Sequence, residues 1–246
     1  MKKALIVQGG WEGHEPVQSA EVFKSILEED GYDVEVSDTL DAFLDGEKLL
    51  GLDLIIPHWT MGTITTEQLE PVMNAVSHGV GLAGCHAGMC DAFHDSVDWQ
   101  WMTGGQWVSH PGGQKVKYTV NVTQGASEIT KGIQDFDVVS EQYYMHVDPA
   151  VDVLATTRFP VLQGPLEVEE ETKLDHGSGF GMWNFEEESL RKGTAYLNKP
   201  VNLPVIWTKR WGIGKVFYCS VGHDAATIAS EPVRTIMKRG FRWASK

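Results

Sequence analysis

The first part of the chain alternates short apolar runs with segments of helical periodicity, and this alternation limits the fold more than any other feature of the sequence. Two helices are predicted, at 17–29 and from 66 to about 77, because their apolar residues recur every three or four positions. The apolar runs predict strands at 3–8, 32–37, 52–57 and 80–83. Strands that alternate with helices form parallel sheets with right-handed crossovers. The sequence therefore predicts an α/β fold.

The second half of the chain has a less regular pattern. A closing helix is expected from about 232 to 244, and two apolar runs around residues 211–214 predict a hairpin. The strands expected here are 115–123, 138–142, 151–156, 204–208 and 215–220. The segment 163–199 is rich in Gly and Glu and has weak periodicity, so it is interpreted as an insertion or lid within a single domain spanning 1–246.

The charge and hydropathy of the chain exclude several classes of partner. Its 34 acidic and 20 basic residues give a net charge of −14, which opposes contact with a phosphate backbone, so we expect no nucleic-acid partner. The apolar run behind Met1 ends at Gln8, shorter than a signal peptide needs, and no stretch reaches the length of a membrane span. Three cysteines form neither a disulfide framework nor a CxxC pair. We expect a cytoplasmic protein that needs no membrane, and assembly into a homo-oligomer is a further expectation.

Histidines follow nearly every predicted strand. Ligands of open parallel sheets bind at the carboxyl ends of the strands, so side chains in these positions are candidates for one shared cleft. The histidines in question are His14, His58, His86, His146 and His223. Imidazoles there can ligate a metal or transfer protons near neutral pH.

One of these histidines lies in a glycine-flanked turn. Gly84-x-His86-x-Gly88 has the spacing of a nucleophile elbow, in which small neighbours permit a sharp, strained turn from strand to helix. The turn is expected to lift His86 into the cleft, while Cys85 points sideways or into the core. A second glycine pattern, Gly9-Gly10-x-x-Gly13, lacks the spacing of a nucleotide-binding loop, so no nucleotide cofactor is expected.

Short blocks of sequence are distributed over nearly the whole chain. They are GCHAG at 84–88, DWQW at 98–101, GG at 104–105, HP at 110–111, ITKG at 129–132, EQY at 141–143, PVIW at 204–207, GIGKV at 212–216, GHD at 222–224 and RGFRWA at 239–244. In this order they resemble the ThuA-like (trehalose utilisation) family. The segment 163–199 has no recognisable counterpart in that family.

The resemblance implies a fold and a class of substrate. The fold is the flavodoxin-like, class I glutamine amidotransferase-like three-layer sandwich with a mostly parallel central sheet. That superfamily places Cys at the elbow and His before the final helix, whereas this chain has His86 at the elbow and His223 in the position of the base. Without an elbow thiolate the chain is not expected to be a glutaminase. The family's association with trehalose implies an enzyme of sugar catabolism that acts on a keto-glycoside or disaccharide derivative by lyase, hydrolase or isomerase chemistry.

Two mechanisms stay open at this stage. In the first, a divalent metal, Zn or Mn, is held by His14, His86 and His223, with Glu141 or His146 in reserve. In the second, which needs no metal, His86 and His223 act as acid and base while Glu141 or Asp224 orients an imidazole. Asp224 is as well suited to capping a helix as to catalysis.

The substrate is expected to be a small sugar-derived molecule. Aromatic rings can stack on a sugar face, and polar side chains beside them can fix its hydroxyls. The candidate substrate-binding residues are Trp11, His58, Trp59, His110, Tyr143 and His146. Two alternatives are a non-catalytic carbohydrate-binding or regulatory protein and, less favoured, an amidase that uses Cys85 or Cys90.

Overall fold

The computed structural model describes residues 1–125, 127–159 and 199–246. Nine of its strands form one sheet, in the order β2-β1-β3-β4-β11-β10-β9-β6-β7, and β5 pairs with β8 in a separate small sheet. The strands are β1 (Lys2–Gly10), β2 (Tyr32–Ser37), β3 (Leu54–Thr60), β4 (Gly81–Cys85), β5 (Gly105–Ser109), β6 (Val116–Val122), β7 (Phe136–Ser140), β8 (Tyr144–Val147), β9 (Asp152–Phe159), β10 (Val201–Trp211) and β11 (Gly214–Cys219).

The large sheet has a parallel half and an antiparallel half. Strands β2, β1, β3, β4 and β11 are parallel neighbours, whereas β10, β9, β6 and β7 pair antiparallel. Of the nine strands, only β10 and β6 run against the direction of the others. The carboxyl ends of β1, β3, β4 and β11 therefore meet at one edge, where the fold predicts a site.

Helices cover both faces of this sheet. They are α1 (Pro16–Glu28), α2 (Gly46–Leu50), α3 (Thr66–Ser77), α4 (Ala87–Cys90), α5 (Val97–Thr103), α6 (Ala225–Ala229) and α7 (Val233–Ala244). Alternate residues of a strand point to opposite faces. Ile6 of β1 accordingly packs with Phe23 of α1 and Phe241 of α7, while Leu5 packs in the opposite core with Val72 of α3. The result is three layers, and the predicted α/β sandwich is confirmed.

Most predicted elements lie within a few residues of observed ones. The strand predicted at 138–142 is instead β7 (Phe136–Ser140), because Glu141, Gln142 and Tyr143 are buried in succession and leave the alternation of a strand. The small sheet of β5 and β8 was not predicted. The proposed lid at 163–199 lies outside the described residues, apart from Lys199.

Candidate metal centre

His86 lies in a strained turn between β4 and α4. Its φ and ψ angles are 52° and −138°, a conformation that side-chain-bearing residues rarely adopt. Two hydrogen bonds hold the turn: the His86 N–H donates to Cys219 O (2.8 Å), and the Tyr218 hydroxyl donates to His86 O (3.0 Å). Gly88 is required because a Cβ atom there would lie 2.4 Å from Nδ1 of His58. The Gly-x-His-x-Gly pattern thus has the elbow geometry that its spacing predicts.

Two further histidines come from neighbouring strand ends. His14 ends a short 3-10 helix after β1 and is 2% exposed. His223 follows β11, and only 13% of its side chain is exposed. Gly222, just before it, has φ 144°, and a Cβ atom there would lie 2.7 Å from Cys85 Sγ. Both histidines are therefore presented at the edge of the sheet where His86 lies.

Glu141 is the centre on which these histidines converge. It follows β7, its backbone carbonyl accepts a hydrogen bond from the Tyr118 hydroxyl (3.1 Å), and its carboxylate is completely buried. From Glu141 Oε2 the distances are 3.3 Å to His86 Nε2 and 3.7 Å to His14 Nε2, and from Oε1 the distance to His223 Nδ1 is 3.4 Å. One donor atom from each of the four residues lies within 4.8 Å of the others. We call His14, His86, Glu141 and His223 the donor cluster.

The inward atoms of the donor cluster have no hydrogen-bond partner among the described residues. These atoms are His14 Nε2, His86 Nε2, His223 Nδ1 and both carboxylate oxygens of Glu141. Buried polar atoms are normally paired, so unpaired atoms that converge on one point suggest a missing ligand. The donor set of three imidazoles and one carboxylate fits a divalent metal.

The outer nitrogens of two of these imidazoles are held in place. His14 Nδ1 lies 2.9 Å from Thr60 Oγ1, and His86 Nδ1 lies 2.9 Å from the Tyr143 hydroxyl. When each Nδ1–H donates to its oxygen, Nε2 keeps its lone pair and faces the centre of the cluster. Partners of this kind orient histidines that ligate metals.

The electrostatics of the cluster favour the metal-ligating forms of Glu141 and His86. Burial would raise the pKa of Glu141, but the surrounding imidazoles of His14, His223 and His86 outweigh it and lower that pKa, so the carboxylate is ionised. Burial lowers the pKa of His86 to about 3, so its ring is neutral. For His223, burial opposes protonation, but the Glu141 carboxylate raises its pKa.

Several other candidate residues line the cluster. His110 Nε2 lies 3.9 Å from Glu141 Oε1, and the Trp11 ring meets the His14 ring edge-on at 4.8 Å. The Tyr143 ring lies 4.1 Å from that of His86. These three residues are the predicted substrate-binding residues that the fold brings next to the donor cluster.

The remaining candidates lie elsewhere or have another role. His58 is buried with its ring edge-on to Phe23 at 5.3 Å, and His146 is exposed on β8. Trp59 packs over Gly9. Asp224 caps α6, because its carboxylate accepts from Thr227 N (2.7 Å). None of these four provides a donor to the cluster.

Thr60 was not among the site residues predicted from the sequence, although it ends β3 at the same edge of the sheet. A signal was present, since Thr60 lies two residues after His58, where side chains of a strand return to the same face. Its hydroxyl matters through His14, a contact that the sequence alone does not reveal.

The cysteines are unsuited to nucleophilic chemistry. Cys85, Cys90 and Cys219 are all buried and unpaired. Burial raises the pKa of each thiol. A thiolate nucleophile needs a lowered pKa and access to its substrate, and these thiols have neither.

Among the described residues, no helix has the length and apolar character needed to cross a bilayer.

Comparison with solved structures finds proteins of similar fold. A ThuA-like protein from Bacteroides uniformis is 17% identical, with 99% of this chain and 91% of that chain covered and a TM-score of 0.69. A ThuA-like protein from Parabacteroides merdae is 18% identical over 99% and 89% of the two chains, with a TM-score of 0.67. A cytoplasmic protein from Salmonella typhimurium is 12% identical over 99% and 100%, with a TM-score of 0.62.

These identities establish a similar fold and no more. Comparison with curated proteins gives no match. The sequence profile of the ThuA family, described as trehalose utilisation, matches residues 3–244. The chain therefore belongs to the ThuA family.

Proposed function

We propose that the chain is a metal-dependent enzyme of sugar catabolism that acts on a keto-glycoside or a related disaccharide derivative. The observation that carries this proposal is the convergence of three imidazole nitrogens and a buried carboxylate whose inward atoms have no partner among the described residues. The sugar is suggested by membership of a family described as trehalose utilisation.

The donor cluster suits Zn or Mn, because both accept mixed nitrogen and oxygen ligands. His14, His86, His223 and Glu141 would hold the ion, and when bound it would act as a Lewis acid toward a substrate carbonyl. Thr60 and Tyr143 fix the rings of His14 and His86, so the donors are preorganised before any ligand arrives.

The chain's own residues also supply a substrate environment. His110 lies within 3.9 Å of the Glu141 carboxylate and can donate to a substrate oxygen beside the donor cluster. The rings of Trp11 and Tyr143 offer apolar surface next to these polar groups, a combination typical of sugar sites. The burial of the cluster keeps bulk water away, which strengthens every electrostatic contact within it.

Two measurements test the proposal. Elemental analysis of untagged protein is expected to find about one Zn or Mn per chain, and His86→Ala is expected to abolish this binding. The matched control is His78→Ala, which removes an exposed histidine at the end of α3. Metal-loaded protein is then incubated with a methyl keto-α-glucoside, and the products are followed by NMR.

The outcomes separate the competing functions. Turnover that requires the metal supports the proposal. Turnover that survives complete chelation favours the metal-free acid–base mechanism. Sugar binding without turnover, with or without metal, favours a carbohydrate-binding protein instead.

A further inference from the structure

A second polar group, Asp91 and His94, lies just after α4 and was not selected from the sequence. His94 Nε2 is hydrogen-bonded to the Asp91 carboxylate. The Asp91 side chain is only 2% exposed, whereas that of His94 is 39% exposed. With Nε2–H donating to the carboxylate, Nδ1 of His94 keeps its lone pair. A buried carboxylate that orients a half-exposed imidazole is an arrangement suited to proton transfer.

The backbone around this pair is held rigidly. Phe93, between the two residues, is fully buried yet has φ 51°, a left-handed conformation that is costly for a bulky side chain. Met61 N–H donates to Asp91 O (2.9 Å), and Gln100 Nε2 donates to His94 O (2.8 Å). These contacts therefore support the strained backbone between Asp91 and His94.

Trp107 connects this pair to the donor cluster. Its ring stacks on that of His94 (centroids 5.9 Å apart, planes inclined by 20°) and lies 6.2 Å from the ring of Tyr143, whose hydroxyl holds His86. Trp107 is 8% exposed, and its buried Nε1–H has no acceptor among the described residues. A buried N–H without an acceptor costs free energy unless a ligand oxygen pairs with it.

We propose that His94, oriented by Asp91, is a catalytic acid–base residue for the substrate bound at the donor cluster, and that Trp107 Nε1 donates to a hydroxyl oxygen of the same substrate. This inference rests on the proposed function. The bond from Asp91 also raises the pKa of His94, which favours a proton acceptor that returns its proton later in the reaction. Asp91 acts through His94 and is a positioning residue.

On a keto-glycoside, His94 would move one proton from a C–H bond to the departing glycosidic oxygen. His94 Nδ1 accepts the proton of the C–H bond next to the carbonyl, the C–H electron pair forms a C=C bond, and the carbonyl π pair moves onto its oxygen. When the enolate reforms the carbonyl, the pair of its C=C bond shifts to form a new C=C bond to the carbon that bears the glycosidic oxygen, and the C–O bond breaks with its pair on that oxygen. That oxygen takes the proton from the His94 imidazolium. No oxidant or reductant is required.

The test compares His94→Ala with His78→Ala in metal-loaded protein. The readouts are metal content, turnover of a methyl keto-α-glucoside and exchange of its C–H proton in deuterated water. His94→Ala is expected to keep the metal and lose turnover and exchange by roughly a hundredfold or more, with partial rescue by added imidazole. Trp107→Phe keeps the ring and removes the N–H, and it is expected to raise KM about three- to tenfold with little change in kcat.

The outcomes distinguish failure of the His94 role from failure of the proposed function. Turnover that falls in His86→Ala but persists in His94→Ala overturns the role of His94 and leaves the metal site standing. Turnover that depends on His94 in protein that binds no metal overturns the metal and supports His94. Loss of metal from His94→Ala, as severe as in His86→Ala, shows a structural effect and overturns the inference. Wild-type protein that neither turns over nor exchanges the probe overturns both proposals.

Discussion

Two buried tyrosine hydroxyls hold His86, and removing them one at a time separates metal binding from stability. Tyr143 meets the ring at Nδ1 (2.9 Å), whereas Tyr218 meets the backbone carbonyl (3.0 Å). Tyr143→Phe leaves a buried ring nitrogen unpaired and frees the ring to adopt the other tautomer. Tyr218→Phe leaves a carbonyl that still accepts from Cys90 N–H (3.3 Å). Each variant therefore removes one hydroxyl group from a buried tyrosine.

The expected magnitudes follow from these contacts. Each variant should lose about 1 kcal/mol of unfolding free energy in metal-free protein, the typical net value of a buried hydrogen bond, with Tyr143→Phe costing up to about 3 kcal/mol if Nδ1 stays unpaired. Loss of the partner that orients a ligating histidine typically weakens metal binding about 10- to 100-fold. Tyr143→Phe should therefore raise the Kd for Zn by that factor, equivalent to about 1.4–2.8 kcal/mol. Tyr218→Phe should change it less than about threefold, because the ring contact is intact.

The assay is competition for Zn against a chromophoric chelator, with urea denaturation of the metal-free variants as the stability measurement. Equal losses of Zn affinity in the two variants would mean that stability, and not the orientation of the His86 ring, controls binding. The same conclusion would follow if Tyr143→Phe left the affinity unchanged. Either result would refute the reasoning that Tyr143 prepares His86 as a ligand.

Three other predictions concern stability. The hydrogen bond from Lys209 lowers the pKa of Asp148, so this ion pair stabilises the fold above the ordinary carboxyl pKa of 3.8, and the stabilisation is lost as the pH falls through the lowered value. Asp148→Asn should cost roughly 3 kcal/mol of unfolding free energy at pH 7 and should weaken the loss of stability at acid pH, as measured by denaturation at a series of pH values. Gly88→Ala should cost at least about 1–3 kcal/mol, because its Cβ meets His58 at 2.4 Å, and a variant as stable as wild type in urea would contradict the packing. Zn at a hundred times its Kd should stabilise the wild type by about 2.7 kcal/mol in thermal unfolding, and Glu141→Gln should lose most of this increment while still folding.

The sequence predicts the parallel half of the sheet well because its strands are buried on both faces. Each of β1, β3 and β4 is a continuous apolar run, and such runs are easily distinguished from the amphipathic helices between them. The antiparallel half depends on pairings between distant segments. The small sheet of β5 and β8 joins residues about 40 positions apart. Neither strand has an alternating pattern strong enough to predict a strand from the sequence.

The site residues that lie in recognisable local motifs were predictable from the sequence, and those that depend on distant contacts were less so. His86 lies in a turn that the glycine spacing encodes, and His14 and His223 follow strands whose ends the fold brings together. From the sequence, Glu141 was a reserve ligand or a carboxylate that orients an imidazole, yet three imidazoles converge on it. Nothing in the sequence of β7 indicates that the chain turns back over the parallel half of the sheet immediately after it. The pairing of Asp91 with His94 has an ordinary helical spacing, so the sequence offers no reason to choose it over many similar pairs.

The charge balance at Glu141 is compatible with the proposed cation. Its carboxylate is completely buried, and no Lys or Arg of the described residues forms an ion pair with it. A buried anion is costly unless a positive charge lies beside it. Neutral His86 contributes no charge, whereas the carboxylate raises the pKa of His223 and so favours a protonated ring there. A divalent ion at the centre would satisfy the carboxylate and the three nitrogens together, which hydrogen bonds within the cluster do not achieve in this arrangement. The unpaired atoms are therefore arranged so that they could hold a metal ion, as we propose.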